Sequence, residues 1–299
     1  MTATTPVSGA VTALGTPLDS QENLHVEGMR KQIQAQIKAG VDALLVLGSM
    51  GTMQLLKDDT FKEALEVTLE EVDGKLPVIV GCGDTGTERS ATRIRWAERH
   101  AVSGVALVPP FFFKFTETEL SDYFKELAVG TDLPVYLYDN PAWTKHTLSY
   151  ELIVELSRVE NIVGLKESAD LLTLRRCAEH FGPSVGFSVL SGLTPFFDLS
   201  LQVGAHGIVD GLFALAPEYA VDLMRCFRNG DTSGMAAAQR KIQRLVAIVN
   251  VDSVFAGFTA AMNLRGIPGD FAPKPFTKVT AEGRDKVRVI LEELAIPLD

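Results

Sequence analysis

The chain has 299 residues, of which 46% are hydrophobic and 22% charged, with a formal net charge of −10. This composition is typical of a globular protein with a sizeable core, and the negative charge argues against nucleic acid or an anionic membrane as the partner. Three scattered cysteines without a CxxC pair provide no disulfide or zinc framework. The sequence shows neither a signal-peptide pattern nor an apolar segment of membrane-spanning length, so we predict a cytoplasmic protein.

Short apolar segments alternate with longer amphipathic segments along most of the chain. The predicted strands are Gly9–Leu14, Ala43–Leu47, Pro77–Val80, Val105–Val108, Val135–Tyr138, Ile162–Lys166, Gly186–Leu190 and Gly207–Val209. The predicted helices are Val26–Ala39, Lys57–Val72, Glu88–His100, Thr118–Val129, Leu148–Ser157, Leu171–His180, Pro195–Val203 and Ala216–Phe227. Strands that are apolar throughout indicate a parallel sheet buried on both faces. Eight strand–helix units therefore predict an α/β fold, a (β/α)8 TIM barrel over residues 1–228.

The remaining residues, 229–299, are predicted to form two or three further helices. A Gly- and Pro-rich interruption, Arg265–Pro275, separates these helices. We predict a C-terminal helical extension packed on the barrel.

Two reactive side chains end neighbouring strands of the predicted barrel. Tyr138 ends the fifth strand and Lys166 the sixth, and catalytic groups of such barrels come from the carboxyl ends of strands. A lysine held out of water there favours its neutral amine, which attacks carbonyl carbons, while a phenol can supply and retrieve the proton. The alternative is structural: Lys166 pairs with Glu167, and Tyr138 only packs at the barrel mouth.

A glycine-flanked loop, Gly48-Ser49-Met50-Gly51, follows the second strand and opens toward a helix. Backbone N–H groups in such a turn bind anions, and the hydroxyl of Ser49 adds a donor. An ordinary strand–helix turn explains the loop equally well. Beside an imine-forming lysine, however, the loop predicts a carboxylate site for a 2-oxo acid such as pyruvate.

Three further sequence features are weaker indicators of function. The segment Gly81–Gly86 matches GxGxxG, but eight repeats do not fit the dinucleotide-binding fold, and no acidic residue follows the next strand. The aromatic segment Phe111–Phe113 predicts either a pocket wall or a subunit interface. The five histidines have no metal-ligand spacing, so no metal site is predicted.

These residues resemble the dihydrodipicolinate synthase/N-acetylneuraminate lyase superfamily of class I pyruvate-dependent aldolases. The markers are Gly48-Ser49-x-Gly51, Tyr138-x-x-Pro141 and Gly164-x-Lys166. The resemblance implies that Lys166 forms the imine, that Tyr138 shuttles protons, that Ser49 and the backbone of Met50 hold the carboxylate, and that the backbone near Val209 faces the site. It also implies a homo-oligomer, a tetramer built from dimers.

Departures from the family pattern narrow the predicted reaction. Met50 replaces a second hydroxyl residue, Thr52 replaces a glutamate, and Trp143 stands where dihydrodipicolinate-forming enzymes carry a carboxylate-binding arginine. Phenylalanines such as Phe112 occupy the loop in which those enzymes use a tyrosine. We therefore predict that this chain does not make dihydrodipicolinate, and that Phe112 and Trp143 contact an apolar or sugar-like substrate tail.

The predicted function is a Schiff-base lyase that reversibly cleaves a 2-oxo-3-deoxy acid to pyruvate and an aldehyde. One alternative is a 2-oxo acid dehydratase or hydratase using the same imine, and another is a non-catalytic pyruvate-binding barrel. Because the imine is itself the electron sink, no metal or organic cofactor is predicted.

Overall fold

The computed structural model describes residues 5–183 and 186–299. Eight parallel strands pair in chain order and close into a barrel, which confirms the predicted fold class. The strands are β1 (Gly9–Ala13), β2 (Ala43–Val46), β3 (Val78–Gly81), β4 (Gly104–Leu107), β5 (Val135–Asp139), β6 (Ile162–Glu167), β7 (Ser188–Ser191) and β8 (Gly207–Asp210). Each predicted strand is present, with ends displaced by no more than two residues.

The helices also follow the predicted order, with one addition. They are α1 (Val26–Ala39), α2 (Asp58–Val72), α3 (Thr87–Ala97), α4 (Glu117–Val129), α5 (Pro141–Thr144), α6 (Tyr150–Leu156), α7 (Leu171–Phe181), α8 (Phe197–Gln202), α9 (Pro217–Arg228), α10 (Thr232–Leu245), α11 (Val254–Leu264) and α12 (Ala281–Glu293). Single 3-10 turns lie at Thr194–Phe196, Leu212–Ala214 and Ile248–Asn250. The short helix α5 was not predicted.

Capping residues explain where several helices begin. Thr116 and Glu119 form a capping box at the start of α4, in which each side chain bonds the other residue's backbone N–H. Asp170 accepts from the backbone N–H of Thr173 at the start of α7, and Gly40 ends α1 in the left-handed region. The bounds of these helices are therefore locally encoded.

The described chain forms two compact units. The first contains the residues up to Val11 together with Asp42–Leu45 and Pro77–Val209. Its strands are buried along most of their length. Near the start of this unit, the backbone N–H of Val7 donates to the Tyr136 hydroxyl at 2.9 Å, and the Val7 carbonyl accepts from the Ser188 hydroxyl at 2.5 Å. The chain preceding β1 is thus tied to β5 and β7.

The second unit contains Thr12–Val41, Val46–Leu76 and Asp210–Asp299. Within it α10 packs on α9, and α11 packs on α12. The hydroxyl of Tyr219 on α9 donates to the carbonyl of Leu294, just after α12, at 2.7 Å. The three helices beyond α9 agree with the predicted helical content of residues 229–299, while the domain boundary at residue 228 stays a prediction.

No single helix within residues 5–183 and 186–299 is long and apolar enough to cross a membrane. The segments Thr232–Asn250 and Val254–Leu264 meet the criterion only when taken together, across a bend of 114°.

Candidate active site

Tyr138 and Lys166 are neighbours at the carboxyl ends of β5 and β6. The two strands pair so that Tyr138 lies opposite Lys166 and Asp139 opposite Glu167. The Lys166 Nζ atom lies 4.0 Å from the centroid of the Tyr138 ring. The structure therefore brings together the two groups that the strand-end pattern singled out.

Both side chains are removed from bulk water. Tyr138 is 4% exposed and Lys166 is 7% exposed. Within the residues that the structure describes, Lys166 forms no ion pair. Glu167 does not serve as its counter-ion, because successive side chains of a strand point to opposite faces. Its Oε1 atom instead accepts from the backbone N–H groups of Ala169 and Asp170. A buried amine without a carboxylate partner is chemically available.

Small residues on the neighbouring strands make room for this pair. Two residues before Lys166 on β6, the ring of Tyr136 occupies the space that a side chain at Gly164 would need. An added Cβ at Gly164 would lie 2.5 Å from Cδ1 of Tyr136. Beyond β7, an added Cβ at Gly192 would lie 2.0 Å from Ser168 Oγ and 3.2 Å from Lys166 Cε. A side chain at position 192 would therefore require Ser168 to move and would crowd the lysine.

The phenol of Tyr138 has a hydrogen-bond donor two residues along the chain. The Nδ2 atom of Asn140 donates to the Tyr138 hydroxyl oxygen at 2.8 Å, and the bond is buried. Asn140 immediately precedes α5 and is itself 7% exposed. The sequence pattern did not identify Asn140 as a site residue, because a contact between residues i and i+2 at a strand end depends on the local backbone angles.

A pair of buried carboxyl groups lies at the same strand ends. Asp139 and Glu167 are both 0% exposed, and one oxygen of each has no hydrogen-bond partner in the described part of the chain. Burial raises the pKa of Asp139 to about 7. Burial, with the nearby Asp139 charge, raises the pKa of Glu167 to about 8. Because the two buried carboxyl groups lie opposite each other on adjacent strands, ionisation of one disfavours ionisation of the other.

The predicted carboxylate loop, Gly48–Gly51, is a turn rather than the first turn of a helix. Thr52 donates its backbone N–H to the Ser49 carbonyl at 3.1 Å, and α2 begins only at Asp58. Residues 52–57 separate this loop from α2, so any anion affinity must come from the turn itself and not from a helix N-terminus. Among the described residues, the backbone N–H groups of Met50 and Gly51 have no hydrogen-bond partner, as an anion-binding turn requires.

The remaining turn residues are tightly packed. Gly51 accepts a hydrogen bond from the Thr16 hydroxyl at 2.8 Å, and an added Cβ at Gly51 would lie 3.1 Å from Leu47 Cα. The Met50 side chain lies against Gly211, the residue after β8, where an added Cβ would lie 2.4 Å from Met50 Cγ. Val209, the other backbone position predicted to face the site, is buried in β8.

The aromatic residues predicted to contact a substrate tail are exposed. Phe112, in the loop after β4, is 85% exposed and has a φ of +88°. Trp143, on α5, is 51% exposed. The two segments are joined through His146, whose Nε2 lies 3.0 Å from the Phe113 carbonyl oxygen. Both aromatic side chains are therefore largely open to solvent, whereas Lys166 is buried.

The described residues contain no group of three or more His, Cys, Asp or Glu side chains arranged to hold a metal ion.

Comparison with known proteins places these features in context. The sequence profile of the dihydrodipicolinate synthetase family matches residues 6–294. A probable 2-dehydro-3-deoxy-D-pentonate aldolase, YjhH of Escherichia coli K12, is 28% identical over 291 residues, which cover 95% of this chain and 96% of that protein. The 4-hydroxy-tetrahydrodipicolinate synthase of Syntrophus aciditrophicus is 27% identical and covers 96% of this chain and 98% of its own.

Solved structures agree over nearly the whole chain. YagE of Escherichia coli K12, a prophage protein of the dihydrodipicolinic acid synthase family solved with pyruvate, superposes with a TM-score of 0.92 at 26% identity, covering 97% of this chain and 99% of its own. A dihydrodipicolinate synthase from Thermotoga maritima superposes with a TM-score of 0.91 at 28% identity, with the same coverage.

Proposed function

This chain belongs to the dihydrodipicolinate synthetase family, and on that premise we propose that it is a class I aldolase that cleaves a 2-oxo-3-deoxy acid to pyruvate and an aldehyde. The observation that carries the proposal is the buried Lys166 amine, 4.0 Å from the ring centre of Tyr138 and without an ion-pair partner in the described residues. Among the residues that the structure describes, no other lysine is buried.

Imine formation begins with attack of the Lys166 nitrogen on C2 of the 2-oxo acid. The new N–C bond leaves a hydroxyl on C2, which departs as water when Tyr138 supplies a proton. The product is an iminium ion, and the tyrosine is left as phenolate. A lysine and a proton donor on adjacent strands suit this step.

Cleavage then uses the iminium as the acceptor of an electron pair. The Tyr138 phenolate takes the proton of the C4 hydroxyl, the C3–C4 bond breaks, and its electrons form the enamine while the aldehyde leaves. Protonation of C3 restores the iminium, and water releases pyruvate and regenerates the amine. Every proton gained by the phenolate is returned, so the cycle consumes only the substrate.

The substrate carboxylate is proposed to bind the turn after β2. The carboxyl ends of all strands in a closed parallel barrel gather at one mouth. The unpartnered N–H groups of Met50 and Gly51, the Ser49 hydroxyl and the backbone near Val209 are the donors proposed for this site. Phe112 and Trp143 are proposed to contact the distal part of the substrate.

The residue at position 143 favours a sugar-like 2-oxo acid as the substrate over the carboxylate-bearing aldehyde used in lysine biosynthesis. Trp143 presents a half-exposed indole where a guanidinium would bind a second carboxylate bidentately. The similarity to YjhH, a probable 2-dehydro-3-deoxy-D-pentonate aldolase, supports the same choice. A dehydratase or hydratase using the same imine would need the same lysine, tyrosine and carboxylate site. A barrel that binds pyruvate without turnover would need only the carboxylate site and the lysine.

Borohydride trapping tests the proposal. Wild-type protein incubated with pyruvate and then reduced should carry a pyruvate-derived adduct on Lys166, identified by mass spectrometry after digestion. Lys166→Arg should remain unmodified, while Lys62→Arg, at a surface lysine of α2, should be modified as the wild type is. Absence of the adduct in folded wild-type protein would overturn the proposal.

A second assay separates the candidate reactions once the adduct is found. A panel of 2-oxo-3-deoxy sugar acids is scored for pyruvate release and, separately, for loss of water. Pyruvate release supports the aldolase, water loss alone supports the dehydratase, and an adduct without turnover of any acid supports the binding barrel.

A further inference from the structure

We infer that Asn140 is a positioning residue for the Tyr138 phenol, directing its proton and stabilising the phenolate after the proton has left. The inference rests on the proposed function, because it assigns to Asn140 a part in the proton transfers of that reaction. The observation that carries it is the 2.8 Å hydrogen bond from Asn140 Nδ2 to the Tyr138 hydroxyl oxygen.

Asn140 occupies a position where an asparagine ordinarily does something else. It is the N-cap of α5, and an N-cap asparagine usually accepts from a backbone N–H in the first turn of the helix. Here the side chain makes no cap hydrogen bond. Its amide is engaged with the phenol, although the local sequence offers the helix as a partner.

The backbone holds the Asn140 side chain in place. Its carbonyl accepts from the backbone N–H groups of Trp143 and Thr144 and from the Thr144 hydroxyl, at 3.0–3.1 Å. Pro141 follows at the first position of α5 and fixes its own φ. The amide is therefore presented to Tyr138 by a short rigid segment.

A donor on the phenol oxygen has two chemical effects. It occupies one lone-pair direction, so the phenol's own O–H is biased toward the other. It also favours the charged form, because a hydrogen bond donated to an oxyanion is stronger than one donated to a neutral oxygen. Asn140 carries no charge, and so it supplies this donor at every pH of interest.

The surrounding charged groups are placed differently. The Lys166 amine on β6 lies over the face of the ring, 4.0 Å from its centroid. Asp139 and Glu167 alternate with Tyr138 and Lys166 along their strands and so point to the opposite face. Asn140, by contrast, is neutral and donates to the phenol oxygen itself.

The test uses a partial reaction that needs no knowledge of the aldehyde. Wild-type protein in D2O should exchange the methyl protons of pyruvate through the imine and enamine, measured by proton NMR. We expect Asn140→Ala to lower the exchange rate by about tenfold and Asn140→Asp, which replaces the donor by an acceptor, by about a hundredfold. Asn229→Ala, at an exposed asparagine, is the matched control and should exchange at the wild-type rate.

A double-mutant cycle separates positioning from a merely structural role. If Asn140 acts through the phenol, Asn140→Ala should cause no further loss in a Tyr138→Phe background. An equal fold loss in both backgrounds, or an unchanged rate in the single variant, would overturn the inference. Wild-type protein that neither exchanges nor forms the borohydride adduct would instead overturn the proposed function.

A readout independent of turnover completes the test. The chain has only five tyrosines, so ring-carbon labelling and 13C NMR can follow each phenol through an alkaline titration, with Tyr138 assigned by its loss in Tyr138→Phe. We expect the Tyr138 transition to move to higher pH in Asn140→Ala and to stay in place in Asn229→Ala. An unmoved transition would overturn the inference.

Discussion

The Tyr138 hydroxyl can be removed while the ring over the Lys166 amine is kept. We expect Tyr138→Phe to fold like the wild type and to exchange pyruvate protons about 10²–10⁴-fold more slowly, which is the usual contribution of a positioned general acid–base. Circular dichroism checks the fold, and proton NMR in D2O measures the rate. A wild-type rate in this variant would remove the phenol from the mechanism.

Gly192 offers a steric test of the space beside the lysine. Its substitution by alanine places a methyl group 2.0 Å from Ser168 Oγ and 3.2 Å from Lys166 Cε, so one of these side chains must move. We expect Gly192→Ala to reduce borohydride trapping about tenfold, less than the roughly hundredfold cost of a full 1 Å misplacement of a reacting group, because Ser168 can take up part of the shift.

The Gly192→Ala/Ser168→Ala double variant removes the closest atom of that clash and should regain part of the lost trapping. Trapping as weak as in the single variant would show that the loss does not come from the contact with Ser168.

Among individual residues, the sequence predicted the reactive pair of Tyr138 and Lys166 but not the residues that contact this pair. Tyr138 and Lys166 were identified because parallel strand ends meet at one mouth. The alternation of strand side chains could also have excluded a Lys166–Glu167 ion pair, since adjacent residues face opposite sides. The Asn140 contact was beyond reach, because it depends on backbone angles set at the junction with α5.

Strands β5 and β6 end in a carboxyl pair whose titration bears on stability. The pKa values of Asp139 and Glu167, about 7 and about 8, lie above their ordinary values of 3.8 and 4.5. Between about pH 4 and pH 8 the folded protein therefore holds protons that the unfolded chain has released. Their contribution to stability is complete below about pH 4 and is lost as the pH rises through 7 to 8.

We expect Asp139→Asn to weaken this dependence, because an amide cannot ionise. On going from pH 5 to pH 8.5, the free energy of unfolding of the variant should rise by about 1–2 kcal/mol relative to that of the wild type. This corresponds to a difference in Tm of roughly 2–8 °C for a chain of this size. Thermal unfolding at the two pH values measures the difference. Glu63→Gln, at an exposed carboxyl of α2, is the control, and a wild-type pH slope in Asp139→Asn would contradict the account.

Element prediction failed where an element was too short to have a period. Helix α5 spans four residues, and Pro141 at its start reads as a strand breaker. The longer helices were found because their apolar faces repeat over several turns, as in α1, which has the predicted bounds.

The whole barrel was predictable because its eight units repeat one pattern. The structural argument for an oligomer is the exposed aromatic loop after β4, where Phe112 and Phe113 are 85% and 68% exposed. Such apolar exposure is typical of an interaction surface. We propose a homo-oligomer and expect sedimentation to give a species larger than the 32.4 kDa monomer.

Phe112→Ser combined with Phe113→Ser should shift that species toward the monomer, while Leu55→Ser, at an exposed leucine of another loop, should not. A monomeric wild type would contradict the proposed assembly.

The attachment of Val7 has a consequence for the time course of folding. Its backbone N–H donates to the hydroxyl of Tyr136, which lies 129 residues later in the chain. Its carbonyl accepts from the hydroxyl of Ser188, which lies 181 residues later. Contacts so distant along the chain are slow to form, because a long loop must close before they contribute any stability. The segment before β1 is therefore among the last to reach its partners, and closure of the barrel waits until β8 has been made.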